Sequence, residues 1–350
     1  MKKLLSLLLM LCLFAPTALA GEEGFYYPYS VVDSNASLSY YDEFRNSGEL
    51  SILIPGVDQD FVPQGLAYYP AKNLMLFTGY SSSIPQTAST LIAVDMQTGT
   101  VVKEVFLKKL DGSFYTGHAG GVCVTDENIF ISGEKQLYRI PLDAFDAMPP
   151  SSAQTFAETI PVPCEASYCQ VSDGILWVGE FDFYRDGYKT DKSHHIQNKD
   201  GDMNKSWILG YKIQPGTDVQ INPAGVPDYI LSVTDRIQGI TFCSDKIYLS
   251  QSYGAGNDSI IYQHQNVLTD APDTQVEVLG SKRPLWFLDS KSQKKAILSP
   301  SMTEGICTIG DSVYISFESA ADTYRNRKEP GKKPSKNPVD RVFKLNPSAL

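Results

Sequence analysis

Two carboxylates flank a short hairpin near the end of the chain. Glu304 comes directly before an apolar segment, residues 310–312 read Gly-Asp-Ser, and Glu318 follows the alternating segment 313–317. Because a hairpin returns to its starting end, we expect both side chains at one end of this unit. Carboxyl groups that are crowded and partly desolvated do not all ionise freely. At least one should therefore have a raised pKa, suited to proton transfer or to binding a cation.

This hairpin is the fifth copy of a repeated unit, and the copies start near residues 64, 120, 165, 238 and 302. Polar side chains recur at the hairpin ends in all five copies. We predict that they meet at one site, with Glu304, Glu165 and His118 as candidate catalytic residues. The candidate ligand-binding residues are Gln64, Gln238, Glu134, Glu180, Glu318, Tyr80 and Tyr253. Polar side chains at these positions are also compatible with simple hydration of a channel and capping of strand ends.

The elements that position these residues are predicted to be sheets of four strands. A third strand follows each hairpin, from residues 90, 135, 206, 259 and 341, and a fourth follows in the first four copies, from residues 100, 154, 227 and 275. The fifth copy reaches the chain end without a fourth strand, and segment 49–55 is predicted to supply it. Repeats of this length in a closed ring indicate an all-β, five-bladed β-propeller. A six-bladed propeller remains an alternative, because residues 285–298 could hold a degenerate hairpin. A two-domain sandwich is disfavoured, because it would leave the grouping of strands in fours unexplained.

The chain divides into three regions. Residues 1–20 have two lysines, an apolar run and the sequence Ala-Leu-Ala before Gly21, a pattern typical of a secretory signal peptide. The apolar run is shorter than the roughly 20 residues that span a bilayer. We therefore expect a secreted or periplasmic protein without a membrane anchor. Residues 21–48 are interpreted as an irregular N-terminal arm, and 49–350 as a single propeller domain.

Charge and cysteine content narrow the function classes. The formal charge is −10, and cleavage after Ala20 would make it −12 by removing Lys2 and Lys3. An acidic protein of this kind is a poor partner for nucleic acids or anionic membranes. Five cysteines remain after cleavage, which excludes a disulfide-built scaffold; Cys164 and Cys169 are near enough in sequence to pair, and the others are expected to be buried. We expect a monomer that binds a small molecule or a peptide.

Two long polar insertions, 182–205 and 319–340, both follow second strands and should lie on the same face as the repeated polar residues. Long loops in compact domains are usually functional or disordered. The basic run 325–341 is interpreted as a solvated mobile loop or as a lid over the acidic mouth.

Oxygen-bearing side chains at every second position of the first insertion resemble the start of a calcium loop. They are Asn198, Asp200 and Asp202. Met203 replaces the glycine of the EF-hand pattern and a downstream glutamate is missing. Despite these departures, calcium at this loop is a prediction, and the sequence makes no cofactor certain.

Sequence motifs for serine hydrolases, zincins, phosphate loops and dinucleotide binding are absent. The strand entrances Gln-Gly-Leu at Gln64, Gln-Gly-Ile at Gln238 and Glu-Gly-Ile at Glu304 resemble the five-bladed glutaminyl cyclotransferases of plants and bacteria. The chain is also similar in outline to lactonase and phosphotriesterase propellers, whose catalytic calcium is held by asparagine and acidic residues, although asparagine is missing from these entrances. Two functions follow as hypotheses: binding of a polar or cationic ligand at an acidic mouth, or an enzyme that uses a channel carboxylate as general acid or base.

Overall fold

The computed structural model describes residues 26–184, 187–217, 221–222 and 224–350, so the proposed signal peptide lies outside the described residues. The strands are β1 Gly48–Leu53, β2 Phe61–Tyr69, β3 Leu74–Ser81, β4 Thr90–Asp95, β5 Val101–Lys108, β6 Gly121–Val124, β7 Asn128–Gly133, β8 Gln136–Pro141, β9 Ser151–Thr155, β10 Glu158–Pro161, β11 Tyr168–Ser172, β12 Ile175–Gly179, β13 Ile196–Gln197, β14 Met203–Asn204, β15 Ser206–Lys212, β16 Tyr229–Val233, β17 Ile237–Cys243, β18 Lys246–Gln251, β19 Ser259–Gln265, β20 Thr274–Val278, β21 Ser281–Phe287, β22 Gln293–Ser299, β23 Thr303–Ile309, β24 Ser312–Phe317 and β25 Arg341–Leu345. The α-helices are α1 Ser34–Leu38, α2 Asp42–Asn46, α3 Leu142–Ala147 and α4 Asp322–Arg325, and short 3-10 helices lie at Pro70–Lys72, Lys192–His194, Val267–Thr269 and Pro347–Ala349.

Five four-stranded units form a ring. Blade 1 has the order β2-β3-β4-β5, blade 2 β6-β7-β8-β10, blade 3 β11-β12-β15-β16, blade 4 β17-β18-β19-β22 and blade 5 β23-β24-β25-β1. The first strands contact one another in the circular order β2, β6, β11, β17, β23 and back to β2. The prediction of an all-β, five-bladed propeller is confirmed.

The small residue shared by the copies has a packing reason at the ring centre. A Cβ added at Gly305 would lie 2.4 Å from the backbone nitrogen of Leu66, and one at Gly121 would lie 2.2 Å from that of Cys169. Both distances are far below van der Waals contact. The backbones of adjacent inner strands therefore approach so closely that no side chain fits between them, which fixes the narrow ring that brings the strand entrances together.

Of the four predicted fourth strands, the one from residue 275 was wrong and the one from residue 154 was right only in its second half. The stretch that begins at residue 154 contains the end of β9, which pairs in parallel with β5 of blade 1, and then β10, which completes blade 2. The stretch from residue 275 is β20, which forms a hairpin with β21 and joins blade 3 through a parallel β16–β21 pairing. Blade 4 is completed instead by β22. The alternation of apolar and polar residues identified these segments as strands, but it does not show with which sheet each strand pairs.

Segment 285–298 does not form a sixth blade. It contains the end of β21 and most of β22, which belong to the sheets of blades 3 and 4. A degenerate hairpin would have paired these two strands with each other.

The outermost strand of blade 5 comes from the start of the described chain. Strand β1 pairs antiparallel with β25, with Gly48 opposite Leu345 and Leu50 opposite Phe343. We predict that this pairing stabilises the ring by covering the edge of β25, and a truncation that removes β1 can test this prediction.

The N-terminal arm contains two short helices where irregular structure was expected. The side chain of Asp33 accepts a hydrogen bond from the backbone of Ala36 at the start of α1, and α2 has two acidic residues in its first turn. Phe44 of α2 is fully buried and stacks on Phe343 with ring centroids 4.1 Å apart. The carboxylate of buried Asp340 also accepts hydrogen bonds from two backbone N–H groups and two serine hydroxyls of the arm. The arm is therefore held on the propeller both by a buried aromatic ring and by hydrogen bonds to Asp340.

Cysteines of the described residues are buried and free. Cys164 and Cys169 do not form the disulfide that their spacing allowed. The thiol of Cys169 lies 3.7 Å from the carbonyl oxygen of Phe130 and contacts Cys123 of the neighbouring inner strand, so it is directed towards blade 2. Among the described residues, no helix is long and apolar enough to cross a membrane.

Candidate functional site

A cavity of about 680 Å³ opens at the end of the channel where the inner strands begin. Its walls come from strand entrances, from the ends of second strands, and from both long insertions. The predicted site residues among its lining are Gln64, Tyr80, His118, Glu134, Glu165, Gln238, Tyr253 and Glu318. The structure thus brings together eight of the ten predicted catalytic and ligand-binding residues, from all five blades; the other two, Glu304 and Glu180, lie elsewhere.

Glu304 lies behind the cavity wall and is only 2% exposed. Its Oε1 accepts a hydrogen bond from Nε2 of Gln238 at 3.1 Å, and its side chain is hydrogen-bonded to that of Glu318. Glu318 in turn accepts a hydrogen bond from Nε2 of Gln64 at 2.8 Å. Two cavity-lining amides therefore support a pair of carboxyl groups, of which Glu318 contacts the cavity directly.

Two carboxyl groups that form a hydrogen bond with each other need a proton between them. Burial raises the pKa of Glu304 well above its ordinary value, and the nearby charge of Glu318 raises it further. Burial also raises the pKa of Glu318 to about 7, although hydrogen bonds from Glu304 and Gln64 and the charge of Arg327 oppose this shift. The pair therefore holds at least one proton at neutral pH, and Glu318 can release or accept a proton there.

Glu180 occupies the repeat position of Glu318 but turns away from the channel. It is fully buried, and its Oε1 accepts hydrogen bonds from the backbone nitrogen of Trp207 at 2.9 Å and from Nδ1 of His194 at 2.7 Å. The His194 ring stacks on Trp207 with centroids 3.9 Å apart. Both ring and carboxylate line a separate cavity of about 300 Å³ beside blade 3. His194 itself is buried, with 7% of its surface exposed.

Two acidic residues form the wall of the main cavity at blades 2 and 3. Glu134 is exposed there and accepts a hydrogen bond from the hydroxyl of Tyr138 at 2.8 Å. Glu165 forms an ion pair with Lys135 at 3.0 Å. Much of the negative charge of Glu165 is thus compensated, whereas Glu134 has no cationic partner among the described residues.

His118 lies at the entrance to blade 2, and its ring edge faces Tyr80, with centroids 5.0 Å apart. His118 is exposed at the cavity, with protein atoms around part of its ring. This desolvation lowers the pKa of His118, and the charge of Glu134 opposes the shift. The neutral imidazole therefore dominates at pH 7 and is able to accept a proton.

Aromatic rings from the first insertion form another wall, which the sequence interpretation missed. Phe183 stacks on Tyr253 with centroids 3.7 Å apart, and Phe181 packs edge-on against Tyr188. All four rings line the cavity. The aromatic-rich start of the insertion, residues 181–188, was the signal that could have revealed them.

The second insertion lies over the cavity, in agreement with the lid alternative. Tyr324 of α4 donates or accepts a hydrogen bond at 2.7 Å with the hydroxyl of Tyr80, and burial raises the pKa of both tyrosines. Arg327 and Lys332 also line the cavity, and neither was predicted as a site residue. The guanidinium of Arg327 stacks over the Tyr324 ring at 4.7 Å from its centroid.

The predicted calcium residues lie at the turn between β13 and β14. The side-chain oxygen of Asn198 accepts hydrogen bonds from the backbone nitrogens of Asp200 and Asp202, each at 3.0 Å. The Asp200 carboxylate accepts hydrogen bonds from the backbone nitrogen and hydroxyl of Ser290. Over the described ranges, no group of three or more histidine, cysteine or acidic side chains is arranged to hold a metal ion. Calcium binding here stays a prediction.

The similarity of this chain to known proteins is confined to solved structures of low sequence identity. No protein-family model matches it, and no curated protein matches it. Among solved structures, a hydrazine synthase of Kuenenia stuttgartiensis is 8% identical with a TM-score of 0.36, over 74% of this chain and 57% of that one. The chain thus spans little more than half the length of that protein.

Two further solved structures are similar over most of their length. The glutaminyl cyclase of Myxococcus xanthus is 10% identical with a TM-score of 0.40, covering 82% of this chain and 90% of that one. A putative oxidoreductase (glucose dehydrogenase) from Thermus thermophilus is 13% identical with a TM-score of 0.40, covering 85% and 98%. At this level of identity the chemistry of this chain must be inferred from its own side chains.

Proposed function

We propose that this chain is an exported propeller protein that binds a small molecule or a peptide, through a cationic group, in the cavity at the channel mouth. The observation that carries the proposal is the convergence of Glu134, Glu165 and Glu318 with aromatic rings on one cavity of about 680 Å³. This volume is in the range of small-molecule sites. Export is supported by the N-terminal sequence, with its two lysines, apolar run and Ala-Leu-Ala site.

The composition of the walls supports a cation as the recognised group. Glu134 offers an uncompensated carboxylate, and Tyr188, Tyr253 and Phe183 offer aromatic faces in the same cavity. Ring faces attract ammonium groups, and the attraction strengthens when the cation is partly desolvated. A flat surface patch would lack this combination of enclosure, negative charge and rings.

A matched pair of substitutions tests this proposal. The probe is phenethylamine, which has an aromatic ring and an ammonium group at neutral pH, and its affinity is measured by titration calorimetry. We expect Glu134→Gln to weaken binding at least tenfold. Glu127→Gln is the control, because Glu127 is exposed on the opposite, turn side of the same blade. Equal affinity of the two variants, or no binding to the wild type, would contradict the proposal.

A second candidate, an enzyme that transfers a proton within this cavity, is favoured by the hydrogen-bonded Glu304–Glu318 pair. A general base is most effective when its pKa lies near the working pH, and burial raises the pKa of Glu318 to about 7. Because the strand entrances at Gln64, Gln238 and Glu304 resemble those of the glutaminyl cyclotransferases, N-terminal glutaminyl peptides are the first substrates to test. In that reaction the α-amine attacks the γ-amide carbon and ammonia leaves; Glu318 would take the amine proton and return it to the leaving ammonia.

Ammonia release from glutaminyl peptides, together with hydrolysis of a set of lactones, tests the enzymatic candidate. Turnover should be abolished by Glu318→Gln and retained by Glu127→Gln. Absence of turnover on every substrate, combined with tight phenethylamine binding, would leave ligand binding as the function.

A further inference from the structure

Arg327 is a cation on the wall of a cavity that also contains three glutamates, Glu134, Glu165 and Glu318. No ion pair of its guanidinium is found among the described residues, and its buried Nε has no hydrogen-bond partner there. A buried donor without a partner costs free energy, on the order of 1–3 kcal/mol. The other cavity-lining cation, Lys332, is paired with Glu329 at 2.5 Å. Arg327 therefore presents unused donors to whatever occupies the cavity.

The frame around Arg327 holds its side chain in place. Its guanidinium stacks on Tyr324, whose hydroxyl is hydrogen-bonded to Tyr80. Helix α4 is fixed at its start by the hydrogen bond from the backbone nitrogen of Asp322 to the carbonyl oxygen of Val57, at 2.7 Å. On the far side of the loop, the backbone nitrogen of Lys336 bonds the carbonyl oxygen of Ala255, also at 2.7 Å. The loop crosses the cavity between these two attachments.

The oxygens of Glu318 are already engaged by Gln64 and by Glu304. The charge of Arg327 acts on Glu318 through space, but no hydrogen bond joins the two side chains. Thus two cavity-lining charges, Glu134 and Arg327, have opposite signs, and neither has an ion-pair partner among the described residues. A ligand with only an ammonium group would leave the donors of Arg327 unused.

We infer that the ligand is a zwitterion, whose ammonium group faces the carboxylates of the cavity while its carboxylate binds the guanidinium of Arg327. This inference rests on the proposed function and specifies its ligand class: an amino acid or a short peptide with free termini. The planar fork of a guanidinium matches a carboxylate through two parallel hydrogen bonds. The aromatic rings in the same cavity offer apolar surface to the side chain of such a ligand.

Matched probes separate this inference from the proposed function. Phenethylamine, phenylalanine and 3-phenylpropionate share one ring and differ in which charged group they carry; isoamylamine, leucine and 4-methylpentanoate repeat the design without a ring. We expect each amino acid to bind at least tenfold more tightly than its amine. With Arg327→Gln this advantage should vanish while amine affinity is unchanged or higher. Lys328→Gln is the control, because it removes one positive charge from an exposed position of the same loop.

Each other outcome has a definite meaning. Equal affinity of amine and amino acid in the wild type would overturn the zwitterion and leave the cationic site standing. If no probe binds, both are overturned. If Arg327→Gln weakens amines and amino acids equally, Arg327 only supports the loop, and its role as carboxylate ligand is excluded. Arg327→Glu adds a further check, since it should reverse the preference in favour of the amine.

Discussion

Blades 3 and 5 place a glutamate at the same repeat position and use it in opposite ways. Glu180 ends the second strand of blade 3 and receives hydrogen bonds from His194 and a backbone nitrogen, so a buried charge is satisfied by donors. Glu318 ends the second strand of blade 5 and meets a second carboxyl group, that of Glu304. Hydrogen-bond donors around the Glu180 carboxylate attach the insertion to the blade. A second carboxyl group beside Glu318 instead creates a pair that shares a proton.

The insertions that follow these glutamates explain the difference. In blade 3 the insertion returns His194 to the glutamate, and both side chains line the separate cavity beside that blade. In blade 5 the insertion passes over the cavity, and Tyr324 and Arg327 line it with Glu318. The same hairpin can therefore supply either a structural anchor or a wall of the candidate site, depending on what its loop brings back.

The largest expected effect concerns how each blade is completed. Blade 3 takes its four main strands from consecutive chain, whereas blade 5 takes β1 from nearly 300 residues away. A chain that begins at Ile54 should expose the edge of β25 and aggregate, because an unpaired strand edge is a template for association. A chain that begins at Ser47 retains β1 and should remain dispersed, as measured by light scattering. Matching melting and scattering for the two truncations would exclude a closing role for β1.

Of the substitutions at Glu180 and Glu318, Glu180→Ala should lower the free energy of unfolding most. It leaves His194 and the backbone nitrogen of Trp207 buried without their acceptor, at a cost of about 3 kcal/mol in the free energy of unfolding. Urea unfolding measures this loss. Glu180→Gln keeps one oxygen and should lose less. A change below about 0.5 kcal/mol for the alanine variant would show that these hydrogen bonds contribute little.

Glu318→Gln should have the opposite profile. The amide can still hydrogen-bond to Glu304, and the substitution removes a charge that burial disfavours, so stability should stay within about 1 kcal/mol of the wild type or rise. Phenethylamine binding should fall about tenfold, since one carboxylate of the cavity is lost. A variant that unfolds readily yet binds normally would interchange the roles we assign to Glu318 and Glu180.

Stability should depend on pH through the blade 5 pair. The folded state raises the pKa of both Glu304 and Glu318 above the ordinary value of 4.5, to about 7 for Glu318. Folded protein therefore keeps protons that the unfolded chain releases, and stability should decrease as pH rises from about 4.5 to about 7. In the double variant Glu304→Gln/Glu318→Gln this part of the slope should disappear.

Glu104 is the control for that slope. Burial raises the pKa of this blade 1 carboxyl to about 7 as well. Glu104→Gln should therefore remove a similar part of the stability slope without altering phenethylamine affinity. An unchanged slope in the Glu304/Glu318 variant would show that the pair ionises freely in the folded protein.

The smallest effect is expected for calcium at the blade 3 insertion. A ligand that binds only the folded state stabilises it by about 0.4 kcal/mol when its concentration equals the dissociation constant. Because Asn198 and Asp200 already accept hydrogen bonds, we expect a stabilisation below about 1 kcal/mol at millimolar calcium, measured by calorimetry against chelated protein. Asp202→Asn should abolish it. No calcium-dependent shift in the wild type would remove the prediction.

Much of this architecture was predictable because a strand pattern with period two repeats five times. The hairpins, the third strands and the convergence of Gln64, Gln238 and Glu165 on one cavity all follow from that repeat. The destination of β20 and the completion of blade 4 by β22 did not follow, since pairing partners are chosen by tertiary contacts and not by alternation.

The repeat pattern also could not predict the directions in which the side chains of the site point. Glu180 and Glu318 are indistinguishable by spacing, and only the return of His194 to one of them separates their roles. Arg327 lies in a basic loop that is joined to the rest of the propeller by hydrogen bonds of Asp322 and Lys336 and by the Tyr80–Tyr324 contact. Such long-range contacts between loops leave no periodic signal in a single sequence.

Proton release on ligand binding tests most directly the claim that the Glu304–Glu318 pair belongs to the ligand site. Titration of phenethylamine at pH 7 in buffers of different ionisation enthalpy counts the protons exchanged. A bound cation favours the ionised form of a nearby carboxyl group, so the wild type and Glu180→Gln should release a measurable fraction of a proton, and Glu318→Gln should release much less. Binding without proton release in the wild type, or equal release in all three proteins, would contradict the account.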